Sequence, residues 1–200
     1  MQRIIDIFNE QGGYARMKEL KVASVHTRDV QRLVQDGVIE KIKTGLYKLV
    51  DLPEADGVPV SFVDICHAMA VAIICLLSAL DYYELTTFMP SQVYVAVPNS
   101  FKPPKIKYPP VNFFYFRDRF YDLGIEKIET SMGTVRIYNR EKTICDVFRY
   151  RNKVGEDIAL EGLRNYVNSK GANIRRLNDY AEKCQVKTII APYLKALLAQ

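Results

Sequence analysis

Arg28, Gln31 and Arg32 stand within about one helical turn of each other in the stretch HTRDVQRLVQDG. These are the side chains best suited to reading bases. A guanidinium pairs bidentately with O6 and N7 of guanine and a glutamine amide with N6 and N7 of adenine, each good pair supplying about 1–3 kcal/mol of discrimination. His26 and Thr27 precede them at the start of the same predicted helix, the end that reaches deepest into a groove. The competing roles are ordinary ones: His26 also suits a capping position, and any of the five can contact a phosphate or only water, because most protein–DNA hydrogen bonds go to the backbone. Arg16 and Lys18 lie before this helix and Lys41, Lys43 and Lys48 after it. As point charges they suit phosphate oxygens better than base edges. Tyr47 either packs under the segment that carries it or lies along a sugar.

The elements that must position these groups follow from the apolar spacing. Val30, Leu33 and Val34 fall at i, i+3 and i+4, the buried stripe of a short helix that begins after Ser24 or His26, with Arg28, Asp29, Gln31, Arg32 and Gln35 opposite. Gly37 stops it, and a strand from Val38-Ile39 turns near Thr44-Gly45 and returns through Leu46-Tyr47-Lys48. Upstream, Ile4, Ile5, Ile7 and Phe8 predict a first helix over residues 2–11 ended by Gly12-Gly13, and Met17 and Leu20 a second. Three short helices and a hairpin within residues 1–50 are the parts of a winged helix-turn-helix DNA-binding domain, whose third helix enters the major groove while the wing meets the backbone. The alternative is a helix and hairpin buried in an ordinary domain.

DLPEADGVPV, residues 51–60, holds two prolines, a glycine and three acids without apolar periodicity, and predicts a short linker. Beyond it, residues 61–85 read as one long buried helix with Phe62, Ile65, Met69, Ala72, Leu76 and Leu80 on one face. SQVYVAVPN reads as a strand, FKPPKIKYPP as a proline-broken basic segment, VNFFYFRD as an aromatic strand, and residues 124–138 as a hairpin turning at Ser131–Gly133. Helical spacing returns with Ile144, Val147 and Phe148, then with Ile158, Leu160, Leu163 and Val167, and two further helices follow. The fold class is therefore α+β: an N-terminal winged helix-turn-helix and a larger α+β domain over residues 61–200, built on a mostly antiparallel or mixed sheet covered by helices.

A net charge of +5 implies a mild attraction for polyanions. Residues 101–153 hold twelve Lys/Arg against six Asp/Glu with aromatic residues interleaved, a surface that suits nucleic acid or simply water; Phe113, Phe114 and Phe116 are expected in the core. Cys66, Cys75, Cys145 and Cys184 show no CxxC spacing, so reduced, buried thiols are expected and no metal site. Asp146, Glu156 and Asp157 are the carboxylates nearest to a catalytic pattern, but there is no HExxH and no phosphate-binding glycine loop, and His67 sits in an apolar run. No catalytic residue and no cofactor are expected. Ile65–Leu80 is interrupted by His67 and Ser78 and is too short to span a bilayer, and MQRIIDIFNEQGG has no secretory signal core, so a cytoplasmic protein without a membrane partner is expected.

Three blocks in series resemble the AbiEi antitoxins of bacterial type IV toxin–antitoxin, or abortive-infection, systems: QRLVQDGVIEKIKTGLYKL, then ICLLSALDYYELTT with PSQVYVAVP, and above all VRIYNREKTICDVFRYRNKVGEDIALEGLRNY. The resemblance implies a winged-helix repressor that binds repeats in its own promoter, joined to a C-terminal antitoxin domain that counters a nucleotidyltransferase-type toxin without needing a stable complex with it; repeated half-sites would suggest two or more copies on DNA. Arg140, Lys142, Arg149, Arg151 and Lys153 surround the third block and are the expected antitoxin surface. Two other functions fit the same parts: a nuclease or nucleotidyl-transfer enzyme delivered to DNA by the winged helix, and a one-component regulator whose second domain senses a ligand.

Overall fold

The computed structural model describes residues 2–52 and 55–199. The chain divides into two compact units, one of Met1–Ala70, Lys102–Pro110 and Ile128–Val135 and the other of Val71–Phe101, Val111–Lys127 and Arg136–Gln200.

The first unit opens with α1 (Gln2–Glu10), β1 (Tyr14–Arg16), α2 (Met17–Val22) and α3 (Thr27–Gln35), followed by the hairpin of β2 (Ile39–Lys43) and β3 (Leu46–Leu49). Phe8, Leu20, Val25, Val30, Leu33, Ile39 and Leu49 form its core, so each helix contributes the apolar face that its spacing predicts. Sequence periodicity missed β1. Three residues are too few to show alternation, yet Tyr14, Ala15 and Arg16 pair antiparallel with Lys48, Tyr47 and Leu46, which makes β3 the centre strand of a β1-β3-β2 sheet. Pro53 and Glu54 of the expected linker lie outside the described residues. Just after them, Ala55 and Val58 form an antiparallel bridge and α4 (Val60–Ala68) begins. The first unit thus continues past the expected boundary and takes in α4, whose Asp64 and His67 are tied to β1 and β3.

The predicted single helix over residues 61–85 is a correction. The chain leaves α4 at Met69 in an extended conformation, forms β4 (Ile73–Ile74) and re-enters a helix only at α5 (Leu76–Tyr82). A strand buried on both faces reads as a continuous apolar run, which periodicity alone does not separate from a buried helix. In this case the run crosses the middle of a sheet.

The chain continues with β5 (Val93–Pro98), β6 (Val111–Phe116) and α6 (Asp118–Tyr121), then β7 (Ile125–Thr130) and β8 (Gly133–Tyr138), whose turn falls at Ser131–Met132 and whose ends beside that turn, Ile128–Val135, belong to the first unit. After these come α7 (Arg140–Arg149), α8 (Arg151–Val154), α9 (Glu156–Asn168), α10 (Ile174–Lys183) and α11 (Lys187–Leu198). The strand order β6-β5-β4-β8-β7 is mixed: β4 runs antiparallel to β5 and parallel to β8, and β5 runs parallel to β6. The α+β class holds in both units. No helix among the described residues is long and apolar enough to cross a membrane.

Candidate nucleic-acid interface

α3 is held by Val30 and Leu33, both buried, while His26, Thr27, Arg28, Gln31 and Arg32 are all exposed. Val34, expected in the stripe, is 38% exposed. His26 occupies the N-cap position with extended backbone angles, but its side chain makes no capping bond. At the other end the Gly37 N–H donates to the Val34 carbonyl and the Val38 N–H to the Leu33 carbonyl, with Gly37 at φ +69°. This is the paired closure of a Schellman motif, and it sets the helix at a fixed angle to the wing. Arg32 Nε lies 3.8 Å from Asp36 Oδ2, an exposed pair too weak to withhold the guanidinium from a ligand.

The flanking cations divide into two groups. Lys18 and Lys41 are exposed. Of the others, Arg16 is exposed and Lys43 half-buried, each with a hydrogen bond to a backbone carbonyl, while Lys48 is buried and so is no ready phosphate contact. Arg16 ends β1 instead of lying on α2, and its Nη2 donates to the His67 carbonyl at 2.9 Å, while Lys43 Nζ donates to the carbonyl of Ala68. The two cations thereby satisfy carbonyls that the last turn of α4 leaves without helical partners, at the negative end of its dipole. Burial and the nearby Arg16 push the Lys43 ammonium below its usual value. His67 stacks on Tyr14 at 3.9 Å with its Nε2 donating to the Met132 carbonyl, and burial lowers its imidazole.

Lys48 is 8% exposed because β3 is the centre strand and this side chain faces α4. Its ammonium lies 2.8 Å from Asp64 Oδ2 and 3.0 Å from Glu40 Oε1, and Tyr14 Oη donates to the other Asp64 oxygen at 2.8 Å. Burial alone would lower the Lys48 ammonium, but the Asp64 and Glu40 carboxylates outweigh it and the net shift is upward. A cation stabilised in the fold contributes fully below its unfolded value of about 10.4 and loses that contribution only as pH rises through the higher folded value. The network is therefore intact across the neutral range. Asp64→Ala, which leaves Lys48 and the Tyr14 hydroxyl without their shared partner, is expected to cost about 3–5 kcal/mol. Urea denaturation checks this, and Lys48→Met combined with Asp64→Leu should recover most of the loss.

In the second unit the residues expected on the antitoxin surface range from buried Lys142 to exposed Lys153. Lys142 is fully buried against Asp146, and α7 is covered on all sides between Glu141 and Phe148 because α5, α8, α9, α10 and α11 all pack against it. Lys142 therefore leaves that surface. Half-buried Arg140 lies over the Tyr166 ring and donates to Ser169 Oγ; half-buried Arg149 stacks 3.9 Å from the Phe120 ring centroid; Arg151 donates to the Phe148 carbonyl. Lys153 is exposed. Phe114 and Phe116 are buried and Phe113 half-buried. Of the cysteines Cys75, Cys145 and Cys184 are buried and Cys66 half-buried, not fully buried as expected.

Residues 2–50 match the family model of the transcriptional regulator AbiEi antitoxin, a span that contains α1 to β3 and all ten candidate DNA-contact residues. No curated protein matches the chain. Over these residues, about a quarter of the chain, it is similar to that family of transcriptional regulators.

Proposed function

We propose that the protein represses its own toxin–antitoxin operon by binding promoter repeats through residues 1–50, acting as a winged helix-turn-helix. The observation that carries this reading is one exposed row, His26, Thr27, Arg28, Gln31 and Arg32, on a helix whose opposite face is buried and whose C-terminal end is closed. The element order of helix, strand, two helices and hairpin supports it. The second unit, which holds most of residues 61–200, forms the antitoxin part, which counters a nucleotidyltransferase-type toxin in the cytoplasm by a route other than catalysis. After the removal of Lys142, its leading surface residues are Arg151 and Lys153, with Arg140 and Arg149 contributing from half-buried positions.

A mobility shift of the purified chain on the DNA upstream of its own gene, at physiological salt with competitor, tests the repressor reading. Specific, stepwise complexes are expected, one step per repeat occupied. Equal affinity for promoter and competitor would overturn it.

A further inference from the structure

Lys48 is buried and Lys43 half-buried on the Ala68 carbonyl, so that Lys41 is the fully exposed cation of β2 and β3. A distant stretch of the chain adds to it. Residues 102–110, KPPKIKYPP, carry no helix or strand and belong to the same compact unit as α3 and the wing. Lys105 and Lys107 are exposed, and half-buried Ile106 between them leaves both ammonium groups on the open side of an extended segment. Pro103, Pro104, Pro109 and Pro110 restrict the backbone on either side, so that little conformational freedom remains to be lost on binding.

These lysines do not stand alone. Lys105, Lys107 and Tyr108 line one groove of about 630 Å³ with Lys41 and Lys43 of the wing, and the groove reaches the end of α3 at Val34 and Gly37. Its lining carboxylate, Glu40, is already paired with Lys48. Lys41, Lys105 and Lys107 have no ion-pair partner among the described residues. Tyr108 leaves an amphipathic ring 65% exposed at the rim. Compact ammonium groups suit phosphate as point charges and give no planar base recognition.

We propose that this groove grips the sugar-phosphate backbone of duplex DNA beyond the bases facing α3, making residues 102–110 a second, sequence-independent clamp. The inference rests on the reading of α3 as the DNA-facing helix, since the groove is continuous with that helix and opens within the same unit. Duplex DNA is favoured over a single strand because the lining offers charge and one tyrosine, with no row of aromatic rings on which successive bases could stack.

The test uses the full chain and fluorescence anisotropy on two duplexes of equal length, the promoter and a scrambled sequence, between about 50 and 200 mM salt. Lys105→Ala with Lys107→Ala is expected to reduce the salt slope by about 1.8, two contacts at about 0.9 each, and to weaken both duplexes equally, about thirtyfold near 150 mM salt. Promoter preference should be retained, and Lys105→Arg with Lys107→Arg should restore the slope. Failure of the two readings is distinguishable. A wild-type chain that binds both duplexes equally, with a slope that still falls in the alanine variant, sinks the α3 reading and keeps the clamp. A wild-type chain that prefers its promoter, with an unchanged slope in the variant, sinks the clamp alone. No binding to either duplex overturns both. Displacement of the duplex by single-stranded RNA at equal phosphate concentration would assign the groove to another partner and also overturn the clamp.

Discussion

Replacing Arg28 and Gln31 with alanine is expected to remove promoter preference while leaving weak, salt-sensitive binding to any duplex. Both side chains are exposed on α3, and neither is in the core contacts of Val30 and Leu33, so the variant should fold as the wild type does. If each makes one bidentate base contact, the two together supply about 2–6 kcal/mol of discrimination, a loss of at least about thirtyfold in the ratio of promoter to competitor affinity. Phosphate contacts from Lys18, Lys41 and the groove lysines would persist, so the salt slope should change little. Competition mobility shifts on the two duplexes measure the ratio. Retention of the wild-type ratio by the double variant would mean that α3 does not read bases, whatever the affinity.

A second large effect is expected in the core of the other unit. Lys142 Nζ and Asp146 Oδ2 are in direct contact one turn apart on α7, with side-chain exposures of 0% and 1%. The ammonium also lies 4.2 Å from the Tyr138 ring centroid and 4.9 Å from that of Phe116, while Asp146 Oδ1 has no hydrogen-bond partner among the described residues. Burial pushes the Asp146 carboxyl above the usual carboxylate range, and Lys142 and Arg149 pull in the opposite direction without reversing it. Removal of either partner leaves the other buried without compensation, and Asp146→Ala or Lys142→Met should each cost about 3–5 kcal/mol. That is a large share of the roughly 5–15 kcal/mol that holds a domain together. Lys142→Met combined with Asp146→Leu should lie close to wild type, because an apolar pair of similar volume dispenses with the desolvation of two charges. Urea denaturation followed by circular dichroism separates the cases. Single variants costing less than about 1 kcal/mol would show that the pair contributes no more than a surface ion pair.

Sequence patterns expose some features and conceal others for identifiable reasons. α3, its exposed donors and its closure at Gly37 are legible because all three depend on residues within one or two helical turns: the Val30–Leu33 spacing, the types at 28, 31 and 32, and a glycine free to take φ +69°. α9 falls where its spacing predicts it. Its fully buried residues are Ala159, Gly162, Leu163 and Tyr166, while Ile158, Leu160 and Val167 are half-buried against the same core. Small residues mark close helix approach, a Cβ at Gly162 falling 3.1 Å from Leu80 Cδ2, and hydrophobic size alone overlooks Ala159 and Gly162.

Charge type misleads in the same way. Lysine and arginine are mostly exposed and solvated, so exposed Arg16, half-buried Lys43 and buried Lys48 and Lys142 all read alike as free cations. Their surroundings were set by groups that the sequence does not place beside them: the carbonyls ending α4 for the first two, Asp64 for the third, and the helices packed around α7 for the fourth. The basic, proline-broken character of residues 102–110 was plain from the residues themselves, but not that Lys105 and Lys107 line one groove with Lys41.

The sequence by itself determined the first three helices, the hairpin that follows them and the chemistry of the donors on α3, because periodicity, capping and side-chain type act over a few residues. Only the tertiary structure decided that β4 crosses a sheet where a helix was expected, which lysines are consumed by internal carboxylates and carbonyls, and which stay available. Those outcomes depend on burial and pairing between residues far apart in the chain, where the cost of leaving a charge or a backbone group unpartnered is settled by the fold as a whole.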